Sequence, residues 1–153
     1  MSGNPKFIKL QADQVFLFWD IIKHGVIQAY GIPQEHRQSF AVKYLEKLLT
    51  GLSQAWIGFE EEEDKKKISG VVSTKIIQEE DYGVRILMID ALYGFRLISK
   101  ELLDVAITAF ESYAKANNCD AIVAEYSLKR VGDMLAHMGF EEHRTISKKV
   151  LTK

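Results

Sequence analysis

The 153-residue sequence has one cysteine, Cys119, and two prolines. A lone cysteine excludes an internal disulfide framework and a zinc site built from several thiolates. No apolar run approaches the roughly 20 residues that a transmembrane helix needs, and the first residues lack the apolar stretch of a secretory signal. These absences predict a cytoplasmic protein that has no membrane partner.

An excess of charge of either sign is also missing. The 20 Lys and Arg residues nearly balance the 21 Asp and Glu residues, and the formal net charge is −1. Because such a chain has no overall basic field, nucleic acid is not an expected partner. The four histidines lack the spacing of metal ligands, so no metal site is predicted. With 47% hydrophobic residues, the sequence fits one globular domain spanning residues 1–153.

Hydrophobic periodicity indicates the elements of the first half. Alternation predicts a strand over residues 6–10, and apolar residues at steps of three and four predict a helix over 13–30. A second helix is expected over about 35–50, ending at Gly51. Two strands follow, over 54–60 and from about 67 onward.

Helices and strands alternate in the second half. A nearly continuous apolar strand over residues 84–92 is expected to be central and covered on both faces. A helix capped by Ser99, a buried strand over 121–126, a helix over 127–138 and a final strand over 142–151 follow. The predicted order β-α-α-β-β-β-α-β-α-β indicates an α/β fold with a mixed sheet.

This order, the run MIDALYGF leading into LISKELLD, the strand AIVAEYS and the helix end MLAHMGF resemble the GNAT (GCN5-related N-acetyltransferase) superfamily over essentially the whole chain. The run NNCDAIVAEYS and the MGF ending especially resemble small GNAT-like proteins encoded by bacteriophages. The resemblance implies the GNAT-like acyl-CoA N-acyltransferase fold. It also implies a location in the cytoplasm of a bacterium or a phage-infected cell, and transfer of an acetyl group from acetyl-CoA to an amine.

The resemblance also implies a place for the cofactor. In the family the fourth and fifth strands diverge, and the pantetheine arm of acetyl-CoA enters between them by strand-like hydrogen bonds. By position these strands are residues 86–92 and 121–126, and the turn at 93–100 would hold the pyrophosphate at a helix N-terminus. The implied cofactor-binding residues are Leu92, Tyr93, Gly94, Arg96, Ser99, Lys100 and Ser127.

The turn departs from the family pattern Q/R-x-x-G-x-G/A, because GFRLIS has one glycine and bulky residues at positions where small ones are expected. Arg96 and Lys100 offer positive charge, whereas Glu101 in the first helical turn would repel an anion. The alternative interpretation is structural: Ser99 caps the helix, Glu101 complements its dipole, and Arg96 is simply exposed.

A second departure concerns the general acid. Many members have a tyrosine four residues before the glycine of the Gly-Phe ending, and the corresponding residue here is Leu135, which cannot transfer a proton. Ser127, His137 and Tyr126 are candidate substitutes. Each also has a structural explanation: helix cap, exposed helix residue and strand packing, respectively.

Two carboxylates are candidates for the catalytic base. Asp90 interrupts the apolar run ILMIDAL, and a carboxylate inside such a strand is costly unless it is paired or functional. Its structural alternative is to accept backbone hydrogen bonds at a β-bulge. Glu125 lies in the next strand, on a face that can neighbour the same site.

Two functions follow. One is an acyltransferase whose acceptor lies against the first two helices, near Trp19, Tyr30 and Tyr44. The other is a GNAT-shaped binding or assembly module that has lost catalysis, for example a virion-associated or host-interacting phage protein. The sequence leaves the acceptor open, together with a homo-oligomer or a protein partner.

Overall fold

A computed structural model describes residues 4–79 and 83–152. Its centre is a five-stranded sheet with the strand order β1-β2-β3-β4-β5. The strands are β1 (Lys6–Lys9), β2 (Gln54–Glu62), β3 (Lys65–Glu79), β4 (Val84–Gly94) and β5 (Ala121–Ala124). The first four pair antiparallel, and β5 runs parallel to β4. The mixed α/β sheet predicted from the sequence is therefore confirmed.

Five α-helices accompany the sheet within the described residues. They are α1 (Ala12–Leu17), α2 (Trp19–Tyr30), α3 (Arg37–Thr50), α4 (Lys100–Ala116) and α5 (Lys129–His137). The helix predicted over 13–30 is divided at Phe18, whose φ and ψ of −105° and 16° leave the helical region. The end of α2 is as expected, because Gly31 takes the left-handed conformation that stops a helix.

Apolar clusters cover both faces of the sheet. One joins α1, α2 and α3 to the sheet and includes Ile22, Val26, Tyr44, Val71 and Ala91. The other joins α4 to the opposite face and includes Trp56, Leu87, Ile89, Ala106 and Phe110. Because β4 contributes buried residues to both clusters, the prediction of a central strand covered on both faces is confirmed.

β4 contains a β-bulge at Asp90. The register pairs Ser73 with Ala91 and Thr74 with Ile89, so Asp90 has no residue opposite it. The parallel pairing with β5 ends just before this point, at Ile89 and Ala124. β4 continues beside β3 to its end, whereas the chain after β5 turns away toward α5. The predicted gap between the two strands therefore begins at the bulge.

The final strand predicted over residues 142–151 is wrong, because that segment has no strand conformation and its side chains are exposed. Ile146, Val150 and Leu151 are at least 70% exposed, so they cover no apolar face. Alternation stabilises a strand only where a sheet edge pairs with it and a core receives its apolar side. The cap prediction for Ser127 is also wrong, since the N-cap of α5 is Leu128.

Candidate active site

A cavity of about 490 Å³ opens where β4 and β5 part. Its walls include residues 89–94 of β4, residues 125–128 after β5, and Val131, Met134 and Leu135 of α5. Beyond Ile89, none of the described strands pairs with β4 on this side. The volume lies within the range of small-molecule sites, and the lining combines apolar side chains with a few polar groups.

Asp90 and Glu125, the two predicted carboxylates, both line this cavity. The phenol of Tyr30 donates a hydrogen bond to Oδ2 of Asp90, while Oδ1 is buried and lacks a partner among the described residues. Burial and the bond to Asp90 raise the pKa of Tyr30, so its phenol remains a donor at neutral pH. The structural alternative for Asp90 was that it accepts backbone hydrogen bonds at a β-bulge. The bulge is present, but the hydrogen bond to Asp90 comes from the side chain of Tyr30.

An unpartnered buried carboxylate oxygen is unusual, since buried polar atoms normally have a hydrogen-bond partner. Glu125 begins the segment that leaves β5, and its amide donates to the carbonyl of Ile89 at 3.1 Å. Asp90 of β4 and Glu125, just after β5, thus line one cavity at the end of the parallel pairing. This arrangement can accept a proton from a bound amine.

The three candidate substitutes for the missing tyrosine differ in position. Tyr126 and Ser127 line the cavity. His137 does not, and its ring contacts Asp104 at 3.2 Å instead. Leu135, at the family position, is 4% exposed and is part of the cavity wall.

Gly132 explains how Tyr126 fits against α5. A Cβ at Gly132 would lie 2.7 Å from Cε2 and 3.0 Å from the hydroxyl of Tyr126. Only glycine therefore permits the tyrosine ring to lie against the helix at this point. Tyr126 thus lines the cavity from the loop after β5 and not from the helix.

The turn before α4 has its positive potential partly neutralised. Ser99 caps the helix by accepting from the amide of Leu102 at 3.1 Å, which confirms the predicted cap. Its hydroxyl also donates to the carboxylate of Glu60, which is 9% exposed. Arg96 lines the cavity but forms an ion pair with Glu62 at 2.6 Å. Both carboxylates compete with a phosphate for this turn.

The bulky residues of the turn leave the cavity open. Phe95 packs against Tyr93 and His24, with ring centroids at 5.1 and 6.1 Å. Leu97, at the cavity rim, is 90% exposed. None of the described residues accepts a hydrogen bond from the amides of Leu97 or Ile98. These amides remain available to an anion.

The predicted cofactor-binding residues are therefore partly assembled. Those that line the cavity are Leu92, Tyr93, Gly94, Arg96 and Ser127. Ser99 and Lys100 are not part of its lining, and Lys100 is the exposed first residue of α4. The groups of the turn that can contact an acyl-CoA are thus its backbone amides and the side chain of Arg96. The capping residue Ser99 is less well placed for such a contact.

A second cavity, of about 340 Å³, meets the first at Tyr30 and Asp90. Of the aromatic residues predicted to form the acceptor groove, Tyr30 and Tyr44 line it. Trp19 lines neither cavity and stacks on Tyr44. Three lysines were missed by sequence reasoning, namely Lys43, Lys47 and Lys75. The spacing of the first two, one turn apart on a helix, was the available signal.

Two other features are absent from the described part of the chain. No group of three or more His, Cys, Asp or Glu side chains there is arranged to hold a metal ion. Likewise, none of the helices in residues 4–79 and 83–152 is long and apolar enough to cross a membrane.

No protein-family model and no curated protein matches the sequence. Solved structures do. A predicted acetyltransferase from Clostridium acetobutylicum with acetyl-CoA has a TM-score of 0.67 and 16% identity, covering 95% of this chain and 96% of that chain. A GCN5-related N-acetyltransferase from Ralstonia eutropha has a TM-score of 0.67 and 15% identity over 95% and 98%. Glucosamine-6-phosphate N-acetyltransferase from Arabidopsis thaliana has a TM-score of 0.64 and 13% identity over 97% and 99%. The chain therefore has the fold of the GNAT acetyltransferases.

Proposed function

We propose that the protein is an N-acyltransferase that moves an acetyl group from acetyl-CoA to an amine. The observation that carries the proposal is the cavity between β4 and β5, with Asp90 at the bulge on one wall and Glu125 on the other. A gap between parallel strands exposes backbone groups of β4 to an extended ligand. The similar structure solved with acetyl-CoA supports the choice of co-substrate.

The chain would hold acetyl-CoA through the free edge of β4 from Leu92 to Gly94, with Arg96 and the turn amides near the phosphates. Ser127, across the cavity, is the polar group facing that edge. Ser99 and Lys100 keep the minor role of shaping the helix N-terminus. When bound, acetyl-CoA supplies a thioester whose carbonyl carbon is open to attack by an amine.

The protein's own residues would then manage two protons. Asp90 takes a proton from the attacking amine, and Tyr30 holds the carboxylate by its hydrogen bond. Glu125, which lines the same cavity, adds negative charge that attracts a protonated amine. As the carbon–sulfur bond breaks, Tyr126 donates its proton to the departing thiolate. The hydroxyl of Tyr126 thereby takes the role of the tyrosine that many family members have at the position of Leu135.

Calorimetry with acetyl-CoA and a thiol-release assay with an amine panel test this proposal together. We expect saturable binding and CoA release that depends on the amine. Asp90→Asn is the matched control, because it keeps the shape of the side chain and removes its charge. Absence of binding at millimolar acetyl-CoA would overturn the enzyme proposal.

A second candidate is a GNAT-fold binding or assembly module without turnover. It is favoured by Leu135 in the cavity wall and by Glu60 and Glu62 at the phosphate turn. On this alternative the chain acts as a virion-associated or host-interacting phage protein, or as an oligomer. Light scattering after size exclusion and a phage-lysate pull-down test it, and CoA release by a monomer would count against it.

The proposal also includes three predictions made from the sequence alone. These are the phage origin, the cytoplasmic location and a possible partner chain. Glucosamine 6-phosphate is the acceptor named for one similar structure. GNAT acceptors differ widely on a common fold, so the acceptor of this chain depends on the residues that line the second cavity.

A further inference from the structure

The cavity beside α3 is lined by side chains of both charges. Lys43 and Lys47 of α3 and Lys75 of β3 line it, and Asp90 is the one carboxylate among its described lining residues. Within residues 4–79 and 83–152, none of these lysines forms an ion pair. Three lysine side chains that line one cavity, without an ion-pair partner among the described residues, leave it with an excess of positive charge.

The fold brings these lysines together from distant parts of the chain. Lys43 and Lys47 lie one helical turn apart and share a face of α3 with Phe40 and Tyr44, which also line the cavity. Lys75 lies on β3 opposite Met88 of β4. The aromatic side chains of Tyr30, Phe40 and Tyr44 line the same cavity as the lysines and the carboxylate. A ligand with an apolar part and two oppositely charged groups matches this lining.

We propose that the acceptor is a small amine whose far end carries a phosphate or carboxylate group. The anionic end binds at Lys43, Lys47 and Lys75, and the amine lies at Asp90, where this cavity meets the first. The proposal rests on the acyltransferase function, because the amine is placed at the proposed base. The volume of about 340 Å³ suits a small molecule.

The test is a series of aminoalkyl phosphates, ω-amino acids and amino alcohols with matched chains of about two to six carbons. We expect kcat/KM for at least one anionic set to exceed that of the matched alcohols by about tenfold or more, decreasing with salt. The comparison of phosphates with carboxylates decides which anion the lysines recognise. Alcohols equal to or better than both anionic sets would overturn the proposal.

The matched variants are two triple substitutions. Lys43→Gln, Lys47→Gln and Lys75→Gln together should reduce the preference to about threefold or less. Lys115→Gln, Lys148→Gln and Lys149→Gln remove the same charge elsewhere and should leave the preference unchanged. Retention of the preference in the first triple variant would contradict the assignment. Loss of acetyl-CoA affinity in it would assign the lysines to the phosphates of the cofactor instead.

Binding without turnover separates this inference from the function on which it rests. Calorimetry of the aminoalkyl phosphates against wild type and both triple variants needs no acetyl transfer. Selective binding that depends on Lys43, Lys47 and Lys75, without acetyl-CoA binding, would keep the anion site and reject the enzyme. Acetyl transfer to neutral amines alone would keep the enzyme and reject the anion site. No binding of any anionic amine also rejects the anion site.

Discussion

The phenol of Tyr30 donates a hydrogen bond to the carboxylate of Asp90 across the wall that the two cavities share. Tyr30 is the last residue of α2, and Gly31 ends that helix with φ of 67°. The ring of Phe40 lies edge-on to Tyr30 at 5.7 Å. Since the donor is fixed by a helix end and the acceptor by a bulge, Asp90 is held at the junction of the two cavities.

Asp90→Asn should lower kcat by about 100-fold or more, because the amide cannot take a proton from the amine. Tyr30→Phe should lower kcat by about tenfold, since the phenol only positions the carboxylate. Both variants should bind acetyl-CoA with wild-type affinity by calorimetry. Such binding would show that the loss of activity comes from the chemical step and not from unfolding. An unchanged kcat in Asp90→Asn would contradict the role and direct attention to Glu125→Gln.

Tyr126→Phe should lower kcat by about 100-fold with a small change in KM, because it removes the proposed proton donor. Gly132→Ala should have a similar effect by displacing the ring, since its Cβ would lie 2.7 Å from Tyr126. Alanine also favours the helix, so thermal stability should not fall. The double variant should lose no more activity than either single one, and additive losses would argue against a shared cause.

Glu62→Gln should tighten acetyl-CoA binding by about threefold at low salt, because Arg96 is then free to meet a phosphate. The hydrogen bond from Arg96, and then the charge of Lys67, lower the pKa of Glu62, so the competing ion pair is fully formed at neutral pH. Glu61→Gln is the neighbouring control. Equal affinities for the two variants in calorimetry would show that Arg96 takes no part in binding.

Stability should decrease above about pH 10, where tyrosines of the unfolded chain ionise. Burial raises the pKa of Tyr44, whose hydroxyl donates to Ser73 at 2.6 Å, so the folded state keeps this proton to higher pH. A raised folded pKa gives stability that is complete below the unfolded pKa and is lost as pH rises. The slope for one such group is up to about 1.4 kcal/mol per pH unit.

Tyr44→Phe should flatten that alkaline slope, as measured by urea unfolding between about pH 7 and 11. It should also cost about 1–2 kcal/mol at pH 7, because Ser73 is fully buried and loses its partner. Tyr126→Phe, at a side chain that is 45% exposed, is the control for a general effect of removing a phenol. Parallel slopes for wild type and Tyr44→Phe would contradict the prediction.

Several elements were predictable because their signals are local. The apolar run of β4 and the stripe of α4 gave their positions, and Ser99 was correctly identified as the cap of α4. Asp90 stood out because it interrupts an apolar strand. The strand prediction over residues 142–151 was wrong because an alternating pattern forms a strand only when a sheet edge pairs with it. The single helix predicted over 13–30 was wrong because its hydrophobic periodicity continues through Phe18, where the structure divides the helix.

The sequence by itself determined most of the order of helices and strands, and through that order the mixed sheet, because hydrophobic periodicity and caps act over a few residues. Only the tertiary structure decided which polar groups meet. Tyr30 donates to Asp90 across 60 residues of sequence, and Arg96 pairs with Glu62 across 34, and no local pattern encodes either contact. Such pairings depend on how packed elements align side chains in space, and chemistry at a site depends on that alignment.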